Sequence, residues 1–253
     1  AVSWVTTVTP AIQFGLEPIM CDCDKDNLGL SIDHLKKIIE EEDPALIILV
    51  HVLGFPNHMK EIVDLCKEKN IFLIEDTCES IGTKYENKLL GTFGDLSTFS
   101  FYFGHHISTI EGGMVCTDDD DLYHLLLSIR SHGWDRDLPE KVQKGLREKF
   151  SVDDFRALYT FYYPGFNLRS TDLQAFIGLG QMEKLDAIIE GRNRNYQKYM
   201  REIDNKFWTI NPPANSYISN FCFPVITENL TKLKDDLILN NIECRPLICG
   251  SIN

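Results

Sequence analysis

The stretch Ile71-Phe72-Leu73-Ile74-Glu75-Asp76 is a short apolar run that stops at two carboxylates. Runs of this length and composition are typical of strands buried on both faces of a parallel sheet. A second β-rich run lies upstream at 45–52, and helical spacing at 31–41 and 59–69 alternates with these runs. The alternation predicts an α/β fold with a mostly parallel sheet flanked by helices. Such sheets bind ligands at the carboxyl ends of their strands, which is where Glu75 and Asp76 lie.

The flanking sequence predicts further elements of the same fold. Residues 18–21 have the composition of an earlier strand, and Ser31 is expected to cap the first helix. Downstream we expect, in order, a strand over 96–103, a Glu-Gly-Gly turn at 111–113, a strand at 114–116, a helix over 119–130, an irregular segment with short helices over 131–163, and one long helix over 171–203.

The 253 residues are enough for one large domain or two smaller ones. We expect a large domain over 1–190 and the start of a smaller α+β domain over 191–253. The chain begins at Ala1 without a methionine and ends at Asn253 without a terminating helix. It is therefore expected to be truncated at both ends, with the first part of the large domain missing.

Composition argues against several classes of function. A formal net charge of −13 leaves no basic stripe for the phosphates of a nucleic acid. The longest apolar runs are too short to span a membrane. The eight cysteines are scattered, as is usual for free thiols in a reducing cytoplasm. Cys21 and Cys23 form the one close pair, and because a lone C-x-C is a weak metal signal, no metal site is predicted.

Two segments at strand ends carry candidate catalytic residues. Asp76 is placed where an aspartate can pair with the protonated nitrogen of a pyridine ring. The segment 97–114 runs from a strand through hydroxyls to His105 and His106, and then to a flexible Gly-Gly. Hydroxyls and turn N–H groups suit a phosphate, and imidazole suits proton transfer near neutral pH. Taken singly, a loop aspartate and a structural His-His pair stay open as alternatives.

A third segment, 165–175, combines Asn167 and Arg169 with the start of a helix. Thr171 or Ser170 in this segment has an alternative role as an ordinary capping residue, and Asp172 favours a helix N-terminus. Each of the three segments is a modest signal by itself. Their order and spacing together are specific.

In that order and spacing the segments resemble the DegT/DnrJ/StrS family, the fold-type I pyridoxal-phosphate enzymes of deoxysugar and aminosugar synthesis. The similar motifs are the E-D strand end at Glu75, the S-F segment that begins at Ser100 and runs into T-x-E-G-G, and the G-x-N-x-R-x-x-D-x-Q-A segment that begins at Gly165. The resemblance covers the whole chain and implies an aspartate aminotransferase-like fold with pyridoxal 5'-phosphate as cofactor. One residue departs from the pattern, because His105 stands where the family has the lysine that binds the cofactor covalently.

The resemblance also implies roles for individual residues. His105 would be the catalytic acid and base. Arg169 and Arg245 would bind a substrate phosphate or the carboxylate of glutamate, with a surface arginine as the alternative in each case. For the cofactor, Trp4 would stack on the pyridine ring, Asp76 would pair with its nitrogen, Glu79 would lie near the ring face and phenolic edge, Ser100 would hold the phosphate, and Asn167 would reach the phosphate of the neighbouring subunit in a homodimer.

The histidine resembles a small subset of the family, the 3-dehydratases of nucleotide-linked 4-keto-6-deoxyhexoses. Imidazole moves protons without binding the cofactor covalently, so the cofactor would cycle through pyridoxamine 5'-phosphate. An iron–sulphur branch with a reductase partner needs further cysteines, and Cys78 matches its first one, but none lies between Cys116 and Cys222. We therefore favour the branch that uses L-glutamate without iron, in 3,6-dideoxysugar synthesis for O-antigen lipopolysaccharide. The iron–sulphur branch and a non-catalytic relative that binds sugar nucleotides remain alternatives.

Overall fold

The computed structural model describes residues 2–203 and 207–248. The strands are β1 (Leu46–Val50), β2 (Phe72–Asp76), β3 (Lys84–Tyr85), β4 (Lys88–Leu89), β5 (Leu96–Ser100), β6 (Gly113–Cys116) and β7 (Ser216–Tyr217). The helices are α1 (Val5–Gln13), α2 (Ile32–Glu42), α3 (Met59–Lys69), α4 (Asp120–Arg130), α5 (Glu140–Phe150), α6 (Asp154–Ala157), α7 (Asp172–Met182), α8 (Leu185–Glu202) and α9 (Leu230–Leu239), with a 3₁₀ turn at Val52–Gly54.

The main sheet has the strand order β1-β2-β5-β6. The first three strands are parallel, and β6 joins β5 in the antiparallel direction. Val50 pairs with Asp76, and Asp76 pairs with Thr98, so the carboxyl ends of the parallel strands lie side by side. The predicted α/β fold with a mostly parallel sheet is confirmed. Asp76 therefore lies at the edge where sheets of this kind bind ligands.

The main core holds α2 and α3 against β1 and β2. Leu49 of β1 and Met59 and Ile62 of α3 are 0% exposed, and Leu35 and Ile39 of α2 pack into the same cluster. Burying one such side chain fully contributes about 1.5–3 kcal/mol relative to leaving it exposed. The two helices therefore fix the strands that end at the candidate site.

A second apolar cluster ties the C-terminal part of the chain to the loop after β1. Phe55 and Tyr196 form its centre, with ring centroids 5.6 Å apart in an edge-to-face arrangement. Ile210 and Ile218 are almost completely buried in the same cluster. The short strand β7 also pairs with β3, so a segment far along the chain packs beside the strand ends.

The structure confirms several of the predicted boundaries. Ser31 caps α2 by accepting a hydrogen bond from the His34 N–H, as expected. The acidic cap of α4 is Asp119, which accepts from the Leu122 N–H. The segment 131–163 contains the helices α5 and α6 in an otherwise irregular path. The division into domains at residue 190 stays a prediction.

Three predicted elements differ from the structure. Residues 18–21 form no strand. The first bridge that follows them is the isolated one between Cys23 and Leu30. The strand predicted over 96–103 ends at Ser100, where pairing with Gly113 ends and the chain turns. The helix predicted over 171–203 is two helices. An N–H from Lys184 bonds to the carbonyl of Gln181, which tightens the last turn of α7 and separates it from α8.

Within residues 2–203 and 207–248, no helix is both long enough and apolar enough to cross a membrane.

Candidate functional site

The carboxylate of Asp76 is oriented by contacts from two directions. The hydroxyl of Thr7 in α1 donates to Asp76 Oδ2 at 3.2 Å, and the Ser3 hydroxyl donates in turn to Thr7 Oγ1 at 2.8 Å. The Cys78 N–H donates to Asp76 Oδ1 at 3.2 Å. Trp4 is the N-cap of α1 and its indole is 59% exposed. The N-terminal segment and the end of β2 thus present an aromatic face and an oriented carboxylate in one region.

His105 lies in the turn after β5, and its N–H donates to the Tyr102 carbonyl at 3.0 Å. The imidazole packs between the rings of Tyr102 and Phe221, with centroid distances of 6.1 and 5.4 Å. Burial lowers the pKa of His105, whereas a hydrogen bond with the Cys78 backbone and the charge of Asp76 act in the opposite direction. The ring is therefore neutral at neutral pH. A neutral imidazole is ready to accept a proton.

Glu79 lies one short turn beyond Asp76. Its Oε2 accepts a hydrogen bond of 2.8 Å from the N–H of Leu53. Leu53 has a φ of 55°, a left-handed conformation that is uncommon for a leucine, and it is 2% exposed. Burial raises the pKa of Glu79 to about 7, against the lowering effect of the Leu53 hydrogen bond. This carboxyl group therefore changes its charge close to neutral pH.

Arg245 approaches the same region from the C-terminal segment. Its guanidinium lies over the ring of Phe221, 5.0 Å from the centroid. Its charge opposes the rise in the pKa of Glu79 and adds to the lowering of the pKa of His105. The structure thus brings together Asp76, Glu79, His105 and Arg245, which the sequence spreads over most of the chain.

Ser100 ends β5, and its Oγ accepts a hydrogen bond of 3.3 Å from the Tyr102 N–H. The hydroxyl lies within the turn that carries His105. Across the strand pair, Ser100 is opposite Gly113. A side chain at Gly113 would approach the Phe99 carbonyl to 2.9 Å, which explains a glycine there.

Asn167 and Arg169 lie elsewhere, on an exposed segment beside the loop after α4. Asn167 forms an isolated bridge with Ser131, and Arg169 Nη2 is 3.4 Å from His132 Nε2. No hydrogen bond or ion pair among the described residues joins Asn167 or Arg169 to Asp76 or His105. Their predicted binding roles stay predictions.

The helix that follows Asn167 begins with a complete capping box. The Thr171 hydroxyl accepts from the Gln174 N–H, and the Gln174 side chain accepts from the Thr171 N–H. Gln174 Nε2 also donates to the Glu111 carbonyl at 2.8 Å. The capping interpretation of Thr171 is confirmed, and the start of α7 is attached to the turn that follows the His105 loop.

Sequence reasoning did not identify Thr7, Phe221 or Arg192 as neighbours of the site. Arg192 of α8 donates from Nη1 to the carbonyls of Asn220 and Phe221 at 2.9 and 3.1 Å. Its charge lowers the pKa of His105. These residues belong to no recognisable motif, and they approach His105 only because the chain folds back.

Cys78 lies at the site but is a poor candidate for reaction or metal binding. Burial raises the pKa of its thiol well above the ordinary range, and the neighbouring charge of Asp76 adds to this effect. The thiol therefore stays protonated, whereas metal ligation and nucleophilic attack need the thiolate. We therefore interpret Cys78 as a packing residue.

The sequence profile of the DegT/DnrJ/EryC1/StrS aminotransferase family matches residues 1–249. The chain belongs to this family. The resemblance inferred from the motifs is therefore confirmed, and with it the aspartate aminotransferase-like fold, since solved structures of the family match the described fold over nearly the whole chain.

Individual family members are similar over most of the chain. A GDP-4-keto-6-deoxy-D-mannose 3-dehydratase of Yersinia pseudotuberculosis is 39% identical over 256 residues, which cover 99% of this chain and 64% of that protein. A dTDP-4-dehydro-2,6-dideoxy-D-glucose 3-dehydratase of Saccharopolyspora spinosa is 38% identical over 204 residues, or 78% of this chain and 44% of that protein. The chain thus spans less than two thirds of the length of these relatives.

A crystal structure of GDP-4-keto-6-deoxymannose-3-dehydratase with a trapped PLP-glutamate geminal diamine has a similar fold. The TM-score is 0.87 with 35% sequence identity, over 99% of this chain and 65% of that chain. The DegT/DnrJ/EryC1/StrS family thus includes members that catalyse 3-dehydration, and these members resemble this chain.

Proposed function

We propose that this chain belongs to a pyridoxal-phosphate-dependent 3-dehydratase that removes the C3 hydroxyl of a nucleotide-linked 4-keto-6-deoxyhexose. The proposal depends mainly on His105, which stands where the resemblance puts the family lysine, close enough to Asp76 for the carboxylate charge to act on its pKa. Its relatives among the 3-dehydratases support this reaction class. The pathway would be the synthesis of 3,6-dideoxysugars for O-antigen lipopolysaccharide.

The donor set at the strand edge fits pyridoxal 5'-phosphate. Asp76 has a fixed carboxylate for a protonated pyridine nitrogen, because the Ser3 and Thr7 hydroxyls orient it. Trp4, the residue after Ser3, offers an exposed indole. Ser100 supplies a hydroxyl for the phosphate, and Asn167 would supply an amide from a second subunit. When bound, the cofactor would act as an electron sink for bond breaking beside the sugar's C4.

His105 would move the proton on which elimination depends. Its neutral imidazole would accept the proton that the reacting carbon releases as elimination begins and deliver it to the oxygen at C3, which then leaves as water. An imidazole does not bind the cofactor covalently, so Asp76, Trp4 and Ser100 would have to hold it by non-covalent contacts alone. The amino group would come from L-glutamate, which converts the cofactor to its pyridoxamine 5'-phosphate form.

Glu79 and Arg245 would set the charge around the reacting groups. Glu79 would lie near the pyridine ring, and its carboxyl group, with a pKa of about 7, is half ionised near neutral pH. Arg245 is exposed beside Phe221, with its guanidinium over that ring. We propose that Arg245, and Arg169 on its separate exposed segment, bind the glutamate carboxylate or a substrate phosphate.

A homodimer is part of the proposal. Helix α7 has exposed apolar side chains at Leu173, Phe176 and Leu179, with exposed fractions of 68, 75 and 69%. Exposed apolar patches of this kind mark interaction surfaces. A second subunit on this face would lie next to Asn167, which begins the same segment. We place the enzyme in the cytoplasm, because the described cysteines are free thiols.

Turnover by the full-length protein tests the proposal. GDP-4-keto-6-deoxymannose and its CDP-linked glucose counterpart are each supplied with pyridoxal 5'-phosphate and L-glutamate. We expect ammonia, 2-oxoglutarate and a 4-keto-3,6-dideoxy sugar from one of them without added iron. A stable 4-aminosugar as the product would refute the proposal.

Two alternatives give different results in the same experiment. An iron–sulphur enzyme would contain iron after anaerobic purification and would need a reductase. A non-catalytic relative would bind the nucleotide sugar without releasing ammonia. The buried, protonated thiol of Cys78 speaks against the first alternative, and the neutral imidazole of His105 opposite Asp76 speaks against the second.

A further inference from the structure

His106 follows the candidate catalytic histidine directly and is 4% exposed. Its Nε2 is 2.9 Å from the carbonyl oxygen of Ser219 and 3.2 Å from the Ser219 hydroxyl. Because a carbonyl oxygen only accepts, Nε2 must carry the proton and donate it. Burial, together with the nearby charge of Arg192, lowers the pKa of His106 to about 4. The ring is therefore a neutral, fixed donor and is shielded from substrate.

Ser219 is held rigidly in its turn. Its side chain is 0% exposed, and its N–H donates to Thr83 Oγ1 at 3.0 Å. The Thr83 hydroxyl donates to the Gly54 carbonyl at 2.8 Å, and Thr83 is also 0% exposed. His106 is thus attached through a chain of buried hydrogen bonds to the turn that follows β1.

The same C-terminal segment also forms one wall of the His105 pocket. Phe221 packs on the His105 ring, and the Phe221 N–H donates to the Leu53 carbonyl at 2.7 Å. Leu53 in turn donates its N–H to Glu79. The adjacent residues His105 and His106 therefore both contact the segment 219–221. His105 packs on Phe221, and His106 bonds to Ser219.

We propose that His106 is a positioning residue, whose hydrogen bond to the Ser219 carbonyl fixes the backbone of the turn and so aims the imidazole of His105. The role for the reaction rests on the proposed function. Adjacent residues share a peptide plane, so holding the His106 ring restricts the backbone from which the His105 side chain projects. A displacement of about 1 Å at a catalytic group reduces rates about 10²-fold.

The orientation of His105 has a readout that needs no cofactor and no substrate. The pKa of His105 is lowered chiefly by burial between Tyr102 and Phe221, and the charges that face the ring are Asp76, Arg192 and Arg245. If the turn loosens, water reaches the ring and its pKa rises towards the ordinary histidine value. The titration of the His105 carbon and nitrogen NMR signals in the full-length protein measures this directly.

Two substitutions of His106 distinguish the effect of its hydrogen-bond donor from the effect of its side-chain volume. His106→Gln retains an N–H donor at nearly the position of Nε2, whereas His106→Leu retains the volume without the donor. We expect the His105 pKa to rise and kcat to fall about 10²-fold in His106→Leu, with KM little changed. In His106→Gln both quantities should stay near those of the unmodified protein.

Ile62→Ala provides a matched control, because Ile62 is fully buried in the other core cluster. It should lower stability while leaving the pKa of His105 unchanged. If His106→Leu behaves like Ile62→Ala, losing stability alone, the positioning role is refuted. If His106→Leu does not fold, Thr83→Val takes its place, since it removes the hydroxyl that anchors Ser219 and should raise the His105 pKa in the same direction.

The two proposals fail in distinguishable ways. If the protein lacks dehydratase activity with every sugar nucleotide but its His105 pKa responds to His106→Leu, the positioning role stands and the proposed reaction is refuted. If the protein is fully active but neither His106→Leu nor Thr83→Val changes the His105 pKa or kcat, the proposed reaction stands and the positioning role is refuted.

Discussion

The hydroxyl of Thr7 donates a hydrogen bond of 3.2 Å to Asp76 Oδ2, across 69 positions of sequence. Thr7 lies in α1, whereas Asp76 ends β2 in the main sheet. Trp4 begins the same helix, so one short element both orients the carboxylate and carries the aromatic residue proposed to cover the pyridine ring. The position of α1 thereby couples two proposed cofactor contacts.

Removing the Thr7 hydroxyl should weaken cofactor binding. A hydrogen bond to a charged group contributes about 1.5–3 kcal/mol, and 1.4 kcal/mol corresponds to a tenfold change in Kd. In Thr7→Val we expect the Kd for pyridoxal 5'-phosphate to rise about tenfold, because the Asp76 carboxylate loses one of its fixed partners. Fluorescence titration of the full-length protein measures this Kd. Thr7→Ser, which keeps a hydroxyl, should bind normally, and equal weakening in both variants would contradict the explanation.

Replacing His105 by alanine should abolish most dehydration while sparing cofactor binding. General acid–base catalysis contributes about 10²–10⁴-fold to rates, so kcat in His105→Ala should fall by that order. Asp76, Trp4 and Ser100 remain, so the Kd for pyridoxal 5'-phosphate should change little. Steady-state release of ammonia reports the first quantity and fluorescence titration the second. Activity that survives the substitution would show that another group moves the proton.

Glu79 should make stability depend on pH. Burial raises its pKa from the ordinary 4.5 to about 7, so the folded state retains a proton that the unfolded state releases. The contribution of Glu79 to the free energy of unfolding is therefore fully present below pH 4.5 and is lost as the pH rises through about 7. Relative to wild type, Glu79→Gln should gain about 1–3 kcal/mol of stability between pH 4.5 and pH 8.

Denaturant unfolding of both proteins at several pH values measures this difference. A constant difference between wild type and Glu79→Gln across that range would contradict the raised pKa. Glu111→Gln provides a matched control, since Glu111 is exposed and its substitution should change stability little.

The buried pair of Glu75 and His51 should be important for stability. Both side chains are 0% exposed, and Glu75 Oε2 lies 3.0 Å from His51 Nε2. The Glu75 carboxylate also accepts from the N–H groups of Gly91, Phe93 and Gly94. Removing one partner of a buried pair costs about 3–5 kcal/mol, because the other partner stays buried and unpaired. We expect a loss of this size in Glu75→Ala, measured by urea unfolding.

The surface pair of Lys60 and Asp64 is the matched control for Glu75. Both of these side chains are well exposed, and exposed pairs contribute only about 0–1 kcal/mol. Asp64→Ala should therefore change stability little.

The contribution of Glu75 to stability should also depend on pH. Burial raises the pKa of Glu75, but the hydrogen bonds from His51 and the backbone outweigh it and lower the pKa overall. The stability from Glu75 should thus be present above pH 4.5 and decrease as the pH falls further.

The sequence by itself determined the order of β1, α3 and β2, because their apolar patterns are local and their burial follows from them. It also determined that Asp76 ends a strand, since Glu75 and Asp76 interrupt an apolar run. The motif around His105 was specific enough to indicate the family, which the family profile confirmed. The separation of α7 from α8 escaped prediction, because no proline or glycine marks the turn at Glu183 and Lys184.

Only the tertiary structure decided which distant residues surround His105 and His106. Phe221 and Ser219 approach them because α8 and the segment after it fold back onto the turn that follows β1, burying Tyr196 and Ile218. Such contacts depend on packing between elements and leave no periodic signal in the chain. The state of each titratable group depends on the same packing, since burial is what lowers the pKa of His105 and raises that of Glu79. The sequence therefore predicted the candidate residues, whereas the fold determines the burial that sets the charge of His105 and of Glu79.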